Sequence, residues 1–138
     1  MAETKALKVL LWIVAVYHIV LGLFGIFAKD TAVYLANVAF NFNLTLNNEM
    51  LWVLNPFAAY LLIFGVFLAV AATNPQKYKS IIYAGIGLFA LRTVQRIIFV
   101  ATAPEGLIAN TSAVRNWVMI GVVAVIGLIM YLLVRKVK

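Results

Sequence analysis

The sequence contains no cysteine, only one histidine and very few charged residues. The lack of cysteine excludes disulfide bonds, thiolate metal ligands and cysteine nucleophiles. A single histidine excludes a metal site built from several histidines of one chain. Only 11% of the residues are charged and 66% are hydrophobic, whereas a soluble domain is about a quarter charged and about half apolar. Too few charges remain to cover a surface that faces water, so the composition predicts a membrane protein.

Acidic residues are the scarcest charges, with four against eleven lysines and arginines, which gives a net charge of +7. A strongly basic chain can indicate nucleic-acid binding. Here the basic residues stand mostly at the ends of apolar runs, as they do in the loops that flank membrane spans. We therefore expect membrane lipid, and no nucleic acid, as a partner.

Four apolar runs are long enough to cross a bilayer, whose hydrocarbon core of about 30 Å needs about 20 helical residues. They cover residues 7–28, 50–73, 80–103 and 113–134. The second helix should begin near Asn48, kink at Pro56 and continue beyond it, because a start at Pro56 leaves a marginal span. A chain of 138 residues is expected to form one domain. We therefore predict an all-α membrane protein, a four-transmembrane-helix bundle that spans residues 1–138.

The distribution of basic residues predicts the orientation of the bundle. One side carries Lys5, Lys8, Lys77, Lys79, Arg135, Lys136 and Lys138, and the other carries only Lys29 and Arg115. Loops on the cytoplasmic side of a membrane are enriched in lysine and arginine. Both termini are therefore expected in the cytoplasm.

The long outer segment, residues 29–49, contains an alternating pattern. In AFNFNLTLNN, residues 39–48, Phe40, Phe42, Leu44 and Leu46 alternate with asparagine and threonine. A period of two is typical of a strand with one buried face, and a lone strand must pair or lie on other structure. We therefore predict a short β-strand or hairpin in the outer loop. It would cover the outer helix ends or pair with a strand of a partner subunit.

The polar side chains inside the four runs are few, and they indicate a site. Charge at bilayer depth is costly, about 2.5–3.5 kcal/mol for an arginine near the centre, so such residues face the protein interior and often mark function. The candidate ligand-binding residues are His18, Asn55, Tyr60, Arg92, Gln95 and Arg96. At about 1.5 Å per residue, His18 and Arg92 fall at a similar depth.

Helical spacing places several of these residues on common faces. Arg92, Gln95 and Arg96 are three and four residues apart and share one face of the third span. His18 shares a face of the first span with Gly22 and Gly25. Because small residues let helices approach closely, we expect this glycine face to pack against the arginine face.

No acidic residue falls inside any of the four runs, so the counter-ion of Arg92 and Arg96 is not evident. Three interpretations remain open. The arginines could bond helix-end carbonyls, Asn55 and water. They could bind an anionic or carbonyl-bearing lipid-soluble ligand, such as a phospholipid head group or a quinone, or they could pair with an acid on another subunit. His18 could likewise be a hydrogen-bonded interior residue or a ligand-binding one.

Short motifs resemble a known family. They are Asn48-Glu49-Met50 before the second span, Gly65 within it, and the pattern of Gly85, Arg92 and Arg96 in the third. The layout resembles the small bacterial four-helix membrane proteins known as DoxX-like. This resemblance implies the bacterial inner membrane. It also favours a quinone or lipid pocket, because DoxX proper is associated with quinone-linked thiosulfate oxidation.

These observations predict a non-enzymatic integral membrane subunit with an intramembrane polar pocket for a lipid or quinone. It would associate with other membrane chains, as a homo-oligomer or as part of a larger complex. The alternatives are a small quinone-linked oxidoreductase component and a small channel or transporter. The sequence contains no GxSxG, HExxH or phosphate-binding glycine loop, so no catalytic residue or metal ligand is predicted.

Overall fold

The computed structural model describes residues 2–102 and 113–137, and these residues form five helices. The helices are α1 (Ala2–Phe27), α2 (Lys29–Phe40), α3 (Asn48–Thr73), α4 (Lys79–Thr102) and α5 (Ala113–Lys136). Four of them, α1, α3, α4 and α5, are long and apolar enough to cross a membrane. The chain is therefore a helical bundle of the kind expected for a small integral membrane protein, in agreement with the four predicted spans.

The ends of α3 follow from local sequence. The side chain of Asn47 accepts a hydrogen bond of 2.8 Å from the backbone N–H of Met50, which satisfies one free donor at the helix start. The helix continues through Pro56, as predicted, and ends at Thr73. It stops there because Asn74 precedes a proline and so disfavours the helical conformation.

The helices are arranged around the bundle in the order α3, α1, α5, α4. The most extensive contact is between α1 and α3, followed by α4 with α5, whereas α3 and α4 touch less extensively. The helices α1 and α4 therefore lie diagonally opposite each other. The core toward the end of the bundle that carries both chain termini contains Leu7, Leu11, Val14, Ala15, Leu68, Ala71, Ile82, Met130 and Val134. We call the opposite end of the bundle the outer end.

The glycine face of α1 packs against α3, so the expectation that it would face the arginines of α4 was wrong. A Cβ atom added at Gly22 would lie 2.6 Å from the backbone nitrogen of Leu62, and one added at Gly65 would lie 2.8 Å from the carbonyl oxygen of Ala15. The two backbones are thus in direct contact. The physical reason is that α3 offers its own small residues, Ala58 and Gly65, opposite the small residues of α1.

The predicted β-strand or hairpin is also wrong. Within residues 2–102 and 113–137 there is no strand. The helix α2 extends through Phe40 and is ended by Asn41, whose φ of 58° lies in the left-handed region. The segment 42–47 that follows has no regular secondary structure, although Phe42 and Leu44 are half-buried and Asn43 is exposed. The alternation therefore indicates the burial of Phe42 and Leu44 but not of Leu46, which is exposed, and it does not reflect strand pairing.

The side chain of Asn37 makes the backbone hydrogen bonds to Leu44 that a neighbouring strand would make. The carboxamide of Asn37 accepts a hydrogen bond of 2.8 Å from the N–H of Leu44 and donates one of 3.0 Å to its carbonyl oxygen. A neighbouring antiparallel strand would make the same pair of bonds to one residue. Because Asn37 lies on α2, the backbone of Leu44 is satisfied by a helix instead of a sheet.

Candidate functional site

His18 lies in the interior of the bundle with 2% of its surface exposed. Its Nδ1 atom is 2.7 Å from the carbonyl oxygen of Val14 on the same helix. A carbonyl can only accept, so Nδ1 carries the proton and donates, which leaves Nε2 of the neutral ring as an acceptor. Among the described residues nothing bonds Nε2. A buried polar atom left unbonded costs about 1–3 kcal/mol, so this acceptor marks a place where a donor group would be stabilised.

Three aromatic rings contact the imidazole, and besides that of Tyr17, at 5.2 Å on the same helix, two come from other helices. The ring of Phe64 from α3 meets it edge-on at 4.9 Å between centroids, and Phe89 from α4 does so at 6.1 Å. The two phenylalanine rings are 6.0 Å apart. Because Nδ1 is hydrogen-bonded to the α1 backbone, Nε2 lies on the side of the ring away from that bond, toward these aromatic side chains. The cluster connects the diagonal helices α1 and α4 across the bundle interior.

Arg92 lies next to this cluster. It follows Phe89 by three residues and is therefore on the same face of α4, one turn nearer the outer end. Its side chain is half-buried, and Phe89, one turn earlier on the same face, contacts the His18 ring at 6.1 Å between centroids. Its guanidinium forms no ion pair or hydrogen bond with any residue in 2–102 or 113–137. Arg92 and His18, predicted as site residues, are thus brought together.

Arg96 has a different environment at the outer end of the bundle. Its guanidinium lies over the ring of Phe40, 4.8 Å from the centroid, in a cation–π contact. Phe40 is the last residue of α2, where the helix dipole is negative. Arg115 from α5 donates to the carbonyl oxygen of Val38 in the same turn. Two arginines therefore contact the last turn of α2, Arg115 through a backbone carbonyl and Arg96 through an aromatic ring.

A groove of about 360 Å³ runs between α3 and α4. We call it the lateral groove, and it is lined by Phe64, Phe67, Ser80, Ile81, Ala84, Gly85 and Leu88. The groove lies between α3 and α4, which contact each other less extensively than α1 contacts α3 or α4 contacts α5. Phe64 lines the groove and also contacts His18, so its ring separates the groove from the buried imidazole.

Tyr60 and Gln95 continue the lateral groove toward the outer end. Tyr60 precedes Phe64 by four residues, and Gln95 follows Leu88 by seven, so each shares the groove-lining face of its helix. Both side chains are exposed in the isolated chain, Tyr60 to 74%. By helical spacing, Tyr60, Arg92 and Gln95 therefore lie on the groove-facing sides of their helices, beyond the residues that line the groove.

Asn55 lies apart from the other predicted site residues. It is nine residues from Phe64, which is two and a half helical turns, so it lies on the opposite side of α3. Its side chain is exposed. Sequence reasoning, in turn, missed Phe64, although its position one turn below Tyr60 was a usable signal.

The similarity searches leave the resemblance to DoxX-like proteins without independent support. That resemblance depends on a few short motifs and on the four-helix layout, and the membership remains a prediction. No protein-family model matches this sequence, and no similarity was found to a curated protein or to a solved structure.

Proposed function

We propose that this chain is a non-enzymatic membrane subunit that binds a lipid or a quinone between α1, α3 and α4. The observation that carries the proposal is the fully buried His18, whose Nε2 atom is unbonded among the described residues and lies next to the half-buried Arg92. A head group that bonds these two polar residues would offset their desolvation.

The position of the lateral groove supports a ligand that comes from the bilayer. Its walls are apolar except for Ser80, and it lies between two membrane-spanning helices. A hydrocarbon tail gains little by moving from lipid into such a groove, because lipid chains are as apolar as leucine. Selectivity must therefore come from the head group, through Arg92 and the groups near it.

Native mass spectrometry of protein purified in a mild detergent tests this proposal. Wild type should retain a lipid or quinone, and Arg92→Leu should lose it while the helical content stays unchanged. Arg135→Leu is the matched control, because Arg135 is an exposed arginine at the other end of the bundle. Equal ligand retention in Arg92→Leu and wild type would contradict the pocket.

We also propose that the chain associates with other membrane chains. Asn55 supports this, because its side chain is exposed in the isolated chain about 10 Å from the outer end of α3. Asparagine at such a position forms hydrogen bonds between helices worth roughly 0.6–2 kcal/mol. The same mass spectra give the number of copies, and an exclusively monomeric wild type would contradict this part of the proposal.

We place the chain in a bacterial inner membrane with both termini in the cytoplasm. Lys79 at the start of α4 donates to the carbonyl oxygen of Val137 just after α5, so these two helix ends lie together. The basic residues of the termini and of the α3–α4 connection cluster at this end. The positive-inside rule then assigns it to the cytoplasm.

A further inference from the structure

His18 and Arg92, the two polar residues of the proposed site, have opposite hydrogen-bonding needs. Nε2 of His18 is an acceptor that requires a donor, whereas the guanidinium of Arg92 only donates. A phosphate oxygen or a carbonyl oxygen would satisfy Arg92 and leave Nε2 unbonded. A hydroxyl group satisfies both, because its hydrogen can donate to Nε2 while its oxygen accepts from Arg92.

We propose that the ligand is a long-chain lipid whose polar end carries a free hydroxyl group, and that this hydroxyl donates to Nε2 of His18. This inference rests on the pocket of the proposed function and narrows the class of its ligand. The hydrocarbon chain lies in the lateral groove, whose lining is almost entirely apolar.

The ligand reaches His18 from the bilayer, between α3 and α4. Phe64 is the residue that both lines the lateral groove and packs on the imidazole, so its ring must turn aside to admit the hydroxyl. Gly85 lies on the opposite wall, where a Cβ atom would be 3.3 Å from Leu68 and already in contact with the Phe64 ring at 3.7 Å, so a larger residue would crowd the ring. Phe67 lines the same groove and makes no ring contact with His18.

The single histidine gives a direct measurement. Protein labelled with ¹⁵N-histidine and placed in lipid nanodiscs yields one Nε2 and one Nδ1 resonance, because no other histidine is present. Titration with 1,2-dioleoylglycerol should shift the Nε2 resonance and leave Nδ1, which stays bonded to Val14, nearly unchanged. The 3-O-methyl ether of the same lipid keeps the oxygen but cannot donate, so it should cause no shift.

A second pair of probes identifies the source of the hydroxyl. A decyl-substituted hydroquinone carries phenolic hydroxyls, and the corresponding quinone carries none. A shift with either hydroxyl compound supports the inference and tells an alcohol from a phenol. The inference is overturned if no hydroxyl compound shifts the Nε2 resonance, or if the methyl ether and the quinone shift it as much as the hydroxyl compounds do. If the hydroxyl inference is overturned while Arg92→Leu still loses bound lipid, the proposed pocket stands without a hydroxyl contact. If wild type retains no lipid, the proposed pocket and the hydroxyl inference both fail.

The entry route is tested by a matched pair of variants. Phe64→Leu should accelerate exchange of the bound probe several-fold, measured from the broadening of the same Nε2 resonance. Phe67→Leu should leave the exchange rate within twofold of wild type, because that ring does not separate the groove from His18. Equal effects of the two variants would contradict entry past Phe64.

Discussion

Arg92 and Arg96 are four residues apart on one helix, yet their surroundings differ. Arg96 lies over Phe40 near the C-terminal end of α2, and such cation–π contacts are worth about 0.5–2 kcal/mol. This contact offsets part of the cost of placing an arginine in the membrane. Arg92 has no comparable contact among the described residues, and its neighbour His18 is an uncompensated acceptor. The two environments are the reason why we propose a ligand contact for Arg92 and not for Arg96.

The glycines also differ in how closely they are packed, and this difference gives a stability prediction. Gly22→Ala places a Cβ atom 2.6 Å from the backbone of Leu62, so the α1–α3 pair must move apart. We expect a loss of about 1–3 kcal/mol, the usual cost of overpacking. Unfolding by SDS, followed by circular dichroism, measures it.

Gly121→Ala is the control for this substitution. A Cβ atom at Gly121 meets nothing within 4 Å, so the free energy of unfolding should stay the same or rise by up to about 1 kcal/mol from helix propensity. If Gly22→Ala and Gly121→Ala had the same stability, α1 and α3 would not be in backbone contact.

The structure of the outer segment was only partly predictable at the level of elements. The alternating pattern correctly indicated that Phe42 and Leu44 turn toward the protein while Asn43 faces outward. It could not show which group bonds the backbone, and that group is the side chain of Asn37. A period of two describes side-chain burial, and an extended loop held by a helix produces it as well as a sheet does.

Asn37 gives a prediction for this element. Asn37→Ala removes both bonds to Leu44, each worth about 0.5–1.5 kcal/mol, so the segment 42–47 should open more often. Hydrogen exchange at the Leu44 amide should accelerate by roughly fivefold or more, as expected for a change of about 1–3 kcal/mol. Asn43→Ala, at an exposed position in the same segment, should leave the rate unchanged; equal rates in both variants would contradict the role of Asn37.

The four spans were predictable from hydropathy, but the choice of neighbouring helices was not. Water drives apolar faces together in soluble proteins, whereas all apolar faces are equivalent in lipid. The pairing then depends on matching small residues on two helices. The glycine face of α1 was visible in the sequence, but Ala58 and Gly65 of α3 reveal a match only once the two helices are aligned. For the same reason the site residues of α1 and α4 were predicted, but their meeting through Phe64 and Phe89 was not.

The orientation of the whole molecule is testable because the chain has no cysteine. A single cysteine at Lys77, in the short connection between α3 and α4, should resist an impermeant thiol reagent in intact cells. A single cysteine at Asn43, in the outer segment, should react. Labelling at Lys77 with protection at Asn43 would show that the bundle is inverted.

Site-specific photocrosslinking in the native membrane tests the central claim, a specific ligand in the lateral groove, most directly. The photoreactive residue p-benzoyl-phenylalanine is placed at Tyr60, on the groove-lining face of α3, or at Val125, on the outer surface of α5. Each position is 12 residues from the outer end of its helix, so both sample the same bilayer depth. Mass spectrometry should find one dominant adduct at Tyr60 and a mixture that reflects bulk lipid at Val125. The same mixture at both positions would contradict a selective pocket.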